Sequence, residues 1–247
     1  MAASSNPPSC DHSTMHSSAV SIALGFRVIV LCLLIPTFLL AQRTGSIPEE
    51  IEWTWEVRPA HPDPKLPNVL LLGDSIARAY FPQVTEDLAH IANVYLMATS
   101  ASVGDPRLQQ QITEFAAMEG IHFRVVHFNN GMHGWGYSES QYRAAFPDFL
   151  RAVRRLVGRD GNVIWATTTP VRPDATFGAT NPRVEARNGI ATSLVQAVGI
   201  AVDDQHALML HHQDSYEDSV HFKAAGAALQ GDQAAATIKE ALTDKHR

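Results

Sequence analysis

Cysteine is nearly missing from this chain. Of 247 residues only Cys10 and Cys32 are cysteine, and both precede residue 42, so the body has no disulfide framework, no thiol nucleophile and no cysteine-based metal centre. Runs of basic residues are absent too. The formal charge is −6, and no stretch offers the electrostatic footprint that nucleic acid or an anionic membrane surface requires. Residues 1–41 contribute only Asp11 and Arg27 to that balance, so the negative charge belongs to the body. With 45% hydrophobic and 18% charged residues and no internal repeat, a disordered or fibrous chain is excluded, and one globular domain with a short appendage is expected. The partner this composition suits is a small or neutral molecule.

One long apolar run is present. Val28–Leu40 (VIVLCLLIPTFLL) follows Arg27 and precedes Ala41-Gln42, the order of charged region, apolar region and small-residue cleavage site in a secretory signal peptide. The broader stretch 19–41 is also long enough to cross a bilayer with Arg27 snorkelling. Residues 1–41 are therefore a signal peptide or an N-terminal membrane anchor, with export expected in both cases and membrane association only if the segment is retained. Met15 is an alternative start. Residues 42–67 carry five prolines and form a Pro-rich lead-in, with Trp53 and Trp55 expected to pack on the domain surface; the domain proper spans 68–247.

From Asn68 onward short apolar runs alternate with longer helical stretches. NVLLL (68–72), NVYLM (93–97), FRVVHF (123–128), NVIWATTT (162–169) and a weaker GIAV (199–202) are continuous rather than alternating, as in strands buried on both faces. Helices are expected over 75–89, 106–119, 139–157, 183–198 and 223–242; in the third, Tyr142, Phe146, Phe149, Val153 and Leu156 recur at helical spacing. Strands alternating with helices imply right-handed crossovers and an α/β fold: a three-layer α/β/α sandwich around a five-stranded, mainly parallel sheet. In such sheets the ligand site lies at the carboxyl ends of the strands.

Four segments meet that positional test. The first strand runs into Gly73-Asp74-Ser75 and a helix, which puts a hydroxyl at the sheet edge and an N–H at a helix N-terminus, where developing negative charge is favoured; the plain alternative is a turn with an N-cap serine. A serine hydroxyl needs a base and an orienting carboxylate, and Asp218-Ser-Val-His221 before the last helix supplies both at a spacing that lets the carboxylate reach the near imidazole nitrogen. After the second strand comes Gly104, whose N–H can approach a carbonyl oxygen. After the third comes Asn129-Asn130-Gly131-Met132-His133, with amide donors; each of these two alone is an ordinary polar turn. His133 could position substrate or make a structural hydrogen bond, and Trp135 could stack on a sugar face or cover the domain edge. Thr167–Thr169 are candidates for the pocket lining, Asp74 for holding the nucleophile loop, and Asp203 and Asp204 for ending the fifth strand. His206, His211, His212, Asp214, Asp218 and His221 crowd one segment, which makes a metal-dependent hydrolase an alternative, but with neither an HExxH helix nor paired carboxylates no metal site or cofactor is expected.

In order and position, GDSI, the glycine loop, the asparagine loop and DSVHF resemble the four blocks of the SGNH (GDSL-like) hydrolase superfamily, over about residues 66–242. VVHFNNGMHGW is similar to a bacterial branch whose third block is Phe-Asn-x-Gly-x-His. The resemblance implies a flavodoxin-like fold and a serine esterase acting on short acyl esters, among them O-acetyl groups on carbohydrates, without a cofactor. Ser75 would be the nucleophile, His221 the general base and acid, and Asp218 its orienting carboxylate. The N–H groups of Ser75 and Gly104 and an asparagine amide would bind the oxyanion. The common third block is Gly-x-Asn-Asp, so this chain departs from it; the branch pattern favours Asn129, with Asn130 the alternative. The same site would serve an envelope O-acyltransferase.

Overall fold

The computed structural model describes residues 45–244, so the expected signal peptide or anchor lies outside the described residues. Among those described, no helix is long and apolar enough to cross a membrane. Six strands form one sheet: β1 (Thr54–Val57), β2 (Asn68–Gly73), β3 (Asn93–Thr99), β4 (Phe123–Phe128), β5 (Val157–Ala166) and β6 (Ala201–Asp203), in the order β1-β3-β2-β4-β5-β6. All neighbours are parallel except β1, which pairs antiparallel with β3, Trp55 opposite Ala98. The expected five strands are present, and the sixth comes from the lead-in: four residues, too short for a periodic signal, that hydrogen-bond along an exposed edge.

The helices are α1 (Ser75–Asp87), α2 (Pro106–Glu119), α3 (Glu139–Arg154), α4 (Asn181–Gln196), α5 (Gln205–Leu210) and α6 (Ala224–Thr243). Their starts are written in polar side chains. Asp74 accepts from the Ile76 N–H, Asp105 from Arg107 with Pro106 in the first turn, and Ser138 forms a reciprocal capping box with Gln141. The α/β/α sandwich follows from the two-sided burial of β2, β3 and β4. Leu70, Leu72, Tyr95 and Met97 pack with Phe115 of α2 and Phe146 of α3, while Val69, Leu71, Val94 and Leu96 pack with Ala77 of α1 and Ala234 of α6.

The largest departures from the sequence expectation lie at α3 and β5. Helix α3 stops at Arg154 and Leu156 leads directly into β5, which begins at Val157 and ends at Ala166 rather than Thr169. The Thr167 N–H still bonds the Asp203 carbonyl of β6, and beyond it side chains take over the backbone's hydrogen bonds: Asn188 of α4 accepts from the Thr168 N–H and donates to the Thr168 carbonyl, both at 2.8 Å. That departure opens the carboxyl edge of the sheet between β4 and β5.

Candidate active site

Ser75 stands at the first position of α1, so its N–H is one of the four at a helix start with no intrahelical acceptor. Asp74, 2% exposed, fixes the turn by capping the helix at 2.9 Å. From the opposite end of the chain, Tyr216–Phe222 closes a tight loop through a bridge between its ends and stacked Tyr216 and Phe222 rings 4.5 Å apart. This loop brings His221 Nε2 to 2.8 Å from Ser75 Oγ, and His221 Nδ1 to 2.7 Å from Asp218 Oδ2. The other Asp218 oxygen accepts from the Val220 and His221 N–H groups at 2.8 and 2.7 Å. Desolvation would raise the Asp218 carboxyl, but these two N–H groups and the His221 ring hold it below the ordinary carboxylate value. The arrangement is a continuous Ser–His–Asp relay, with the imidazole tautomer set by Asp218.

The two asparagines have distinct surroundings. Asn130, 3% exposed, is a strut between loops: its side chain accepts from the Val103 N–H at 2.8 Å and donates to the Ala101 carbonyl at 2.8 Å, while its own carbonyl accepts from Tyr142 Oη. Asn129 is half-buried, and its amide donates to the Ala166 carbonyl at 2.6 Å and to Thr168 Oγ1 at 3.1 Å. Gly104 has φ 104°, and a β-carbon there would meet the Tyr137 ring at 3.2 Å, so only glycine suits this loop. Asp74, Asn129, Thr168, Thr169, Gln205 and Gln230 surround a cavity of about 10 Å3 beside the start of α1, room for a single water.

His133 and Trp135 lie beside this region but are engaged in packing. His133 Nδ1 meets Glu49 at 2.8 Å, and its ring stands edge-on to Trp53 at 5.9 Å. Trp135 is 9% exposed, with the Arg187 and Arg183 guanidinium carbons 4.1 and 5.1 Å from its ring centre; this covering corrects the expectation of a ring open to stack on sugar. Asp203 ends β6 as expected, buried, and accepts from His127 and Gln205; Asp204 caps α5. Among the described residues, no three His, Cys, Asp or Glu side chains come together as a metal-holding group.

Sequence reasoning missed two supports. The lead-in is a strap across the loops that follow β3 and β4: Ser46 donates to Asp105, the Ile47 N–H to Tyr137 Oη, the Gly134 N–H to Glu49, and Ser100 to Glu52. Arg187, 1% exposed, donates to the carbonyls of His133, Gly134 and Tyr137 at 2.8 to 3.0 Å. Desolvation pushes its guanidinium down to about 10. The available signal was an arginine at the buried spacing Val184, Arg187, Ala191 of a helix.

No family model matches the sequence, and no curated protein matches it. Solved structures do. A lipolytic G-D-S-L family member from Veillonella parvula is 17% identical, covers 70% of this chain and 98% of its own, and has a TM-score of 0.54. A carbohydrate esterase family 3 protein from Talaromyces cellulolyticus is 15% identical over 73% and 100% of the two chains, TM-score 0.58. The C-terminal catalytic domain of Streptococcus pneumoniae peptidoglycan O-acetyltransferase A, carrying a methylsulfonyl adduct, is 18% identical over 71% and 94%, TM-score 0.52. Likeness at this level of identity is a likeness of fold, and the chain has the fold of the SGNH, or GDSL-type, hydrolases.

Proposed function

We propose that this chain is an exported serine esterase that removes short acyl groups, O-acetyl groups on carbohydrates foremost, through an acyl-Ser75 intermediate. The observation that carries the reading is the unbroken contact from Ser75 Oγ to His221 Nε2 and from His221 Nδ1 to Asp218. Its reaction runs in two halves. Ser75 Oγ attacks the ester carbonyl as its proton passes to His221 Nε2; the tetrahedral intermediate collapses, and the departing alkoxide takes that proton. Water repeats the sequence on the acyl-enzyme, releasing the acid and restoring Ser75. The N–H groups of Ser75 and Gly104 and the Asn129 amide bind the oxyanion. For Asn129 the longer bond, 3.1 Å to Thr168 Oγ1, is the one exchanged for the oxyanion, while the shorter one to Ala166 keeps the amide aimed.

The carbohydrate assignment is supported by the acetylxylan and carbohydrate esterases that share the fold, and export by the apolar run at Val28–Leu40. A second reading moves the acyl group to an acceptor alcohol instead of water. It is favoured by the likeness to an O-acetyltransferase domain and by an open acid–base turn, with 53% of the Asp218 side chain and 34% of the His221 side chain exposed. A sulfonyl fluoride probe tests the shared chemistry: it should add its mass to Ser75 in intact protein, and labelling that survives in Ser75→Ala rejects the nucleophile. Product analysis with and without a glycan acceptor separates hydrolysis from transfer.

A further inference from the structure

One feature beside the triad has no part in the chemistry above. Trp53 directly precedes β1 and Trp55 lies within it, and the two-residue spacing along extended backbone puts both on the same face of the sheet edge. The Arg78 guanidinium carbon lies 5.5 Å from the Trp53 ring centre and 5.1 Å from that of Trp55. Arg78 is exposed, and Trp55 is 51% exposed. Among the described residues no carboxylate pairs with Arg78, in contrast with Arg58, Arg107 and Arg183, which meet Glu119, Glu52 with Asp105, and Glu139. Two strap carboxylates are engaged elsewhere: Glu49 by His133 and the Gly134 N–H, Glu52 by Arg107 and Ser100.

Position gives this cation its interest. Arg78 is three residues after Ser75 on α1, a spacing that puts side chains on one helix face with β-carbons about 5–6 Å apart. Trp53 in turn touches His133, on the loop that follows β4. The clamp is thus continuous with the rim of the nucleophile. Both distances lie within the range of cation–π attraction, which uses none of the guanidinium N–H donors, so they remain for a carboxylate held in two parallel hydrogen bonds. Two ring contacts also hold the side chain in place before anything binds, which reduces the ordering cost of binding.

Resting on the esterase reading, we propose that Arg78, clamped by Trp53 and Trp55, is a specificity subsite for a carboxylate on the alcohol portion of the ester, so that the preferred substrates are acylated acidic saccharides. The carboxylate belongs to the ring that bears the acyl group or to its neighbour, within one helical turn of the scissile bond. Its grip forms before the reaction and persists through it, so it acts on KM rather than on kcat. If the guanidinium merely roofs the exposed Trp55 ring, its removal would alter all substrates alike.

The test compares kcat/KM of the full chain for an acetylated hexuronate oligosaccharide and for a neutral acetylated xylo-oligosaccharide. Wild type should prefer the acidic substrate, and the preference should shrink as salt is raised, because an exposed charge pair is screened. In Arg78→Gln the acidic-to-neutral ratio should fall about five- to tenfold, the effect of a solvent-accessible charge-assisted pair, through KM of the acidic substrate. Arg78→Lys, which keeps the charge and loses the fork, should fall between. Arg143→Gln, at an exposed arginine of α3, should leave the ratio at its wild-type value. A wild-type enzyme with no acidic preference, or equal losses on both substrates in Arg78→Gln, overturns the subsite and leaves the esterase reading standing. Failure of wild type to turn over any acyl ester overturns that reading and the subsite with it.

Discussion

The two walls of the site are built in opposite ways. On the side proposed to bind the oxyanion, the loops carrying Gly104 and Asn129 are held from within the protein by the strap, by Asn130 and by Arg187. On the acid–base side, Asp218 and His221 sit on a turn open to solvent and tied down by its own backbone, by a bond from the Arg172 N–H to the Ser219 carbonyl, and by Tyr216 Oη to the Pro170 carbonyl. The contrast follows from what each wall must do. An oxyanion hole works only if its donors are in place before charge develops, so it needs rigidity. An imidazole that takes a proton from serine and delivers it to alcohol or water needs access.

The largest effects should come from cutting the relay itself. Ser75→Ala and His221→Ala are expected to lower kcat by roughly 10⁴-fold or more, and Asp218→Asn by roughly 10²-fold or more in a folded protein, read from initial rates beside thermal melts. Asp218, held below the usual carboxylate range by the Val220 and His221 N–H groups and the His221 ring, stays ionised at neutral pH, so its orienting charge is present under ordinary assay conditions. Near-normal turnover in Asp218→Asn would mean that the open turn orients His221 without its carboxylate.

The next comparison sets the two asparagines against each other. Asn129→Ala should lower kcat by roughly 10²- to 10³-fold with little change in KM, the pattern of a donor used mainly in the transition state, and should barely move Tm. Asn130→Ala leaves the buried Val103 N–H and Ala101 carbonyl without their partner. It should therefore cost about 1–3 kcal/mol of stability, with a smaller loss of kcat, less than about tenfold, through displacement of the Gly104 loop. If Asn130→Ala loses the larger factor in kcat at unchanged Tm, the assignment of the donor is reversed.

How much of this was legible in the sequence follows from how each wall is made. The Ser75 turn and the Asp218–His221 turn are local: a few consecutive residues next to a strand or a helix carry the chemistry and its position together. The sheet was legible for the same reason, since β2, β3 and β4 are unbroken apolar runs. The strap was not. Its bonds named above join residues 48 to 90 positions apart, from Glu52 with Ser100, through Ser46 with Asp105 and Glu49 with His133, to Ile47 with Tyr137, and no periodicity marks such pairs. Prolines at 48, 59, 62, 64 and 67 suggest an extended lead-in, yet composition says nothing about what an extended segment lies upon. His133 shows the cost: in sequence it is a loop histidine open to a substrate role, and in the fold it is the partner of a carboxylate 84 residues away.

The smallest expected effect belongs to that pair, and it tests whether the rigid wall is partly electrostatic. Desolvation opposes the charged form of both groups. Even so, the hydrogen bond and charge of His133 hold Glu49 below its ordinary value of 4.5, and Glu49, with Asp74 and Glu52 behind it, lifts His133 above its ordinary 6.5. A carboxyl with a lowered folded value contributes stability that is present above its unfolded value and lost as pH falls through the folded one. An imidazole with a raised folded value contributes stability that is complete below its unfolded value and lost as pH rises through the folded one. The two overlap fully between about pH 4.5 and 6.5. Within that window Glu49→Gln should lower Tm by roughly 2–4 °C, the size expected for about 1 kcal/mol from a partly exposed pair in a domain of this length. Above it the gap between variant and wild type should narrow, since neutral His133 keeps a hydrogen bond to either side chain but no charge. Turnover of a neutral aryl ester should decline alongside, because the same carboxylate also holds the Gly134 N–H at 2.8 Å in the loop that follows Asn129. A Tm gap that stays constant from acid to alkaline pH would leave Glu49 a hydrogen-bonding clasp with no charge contribution.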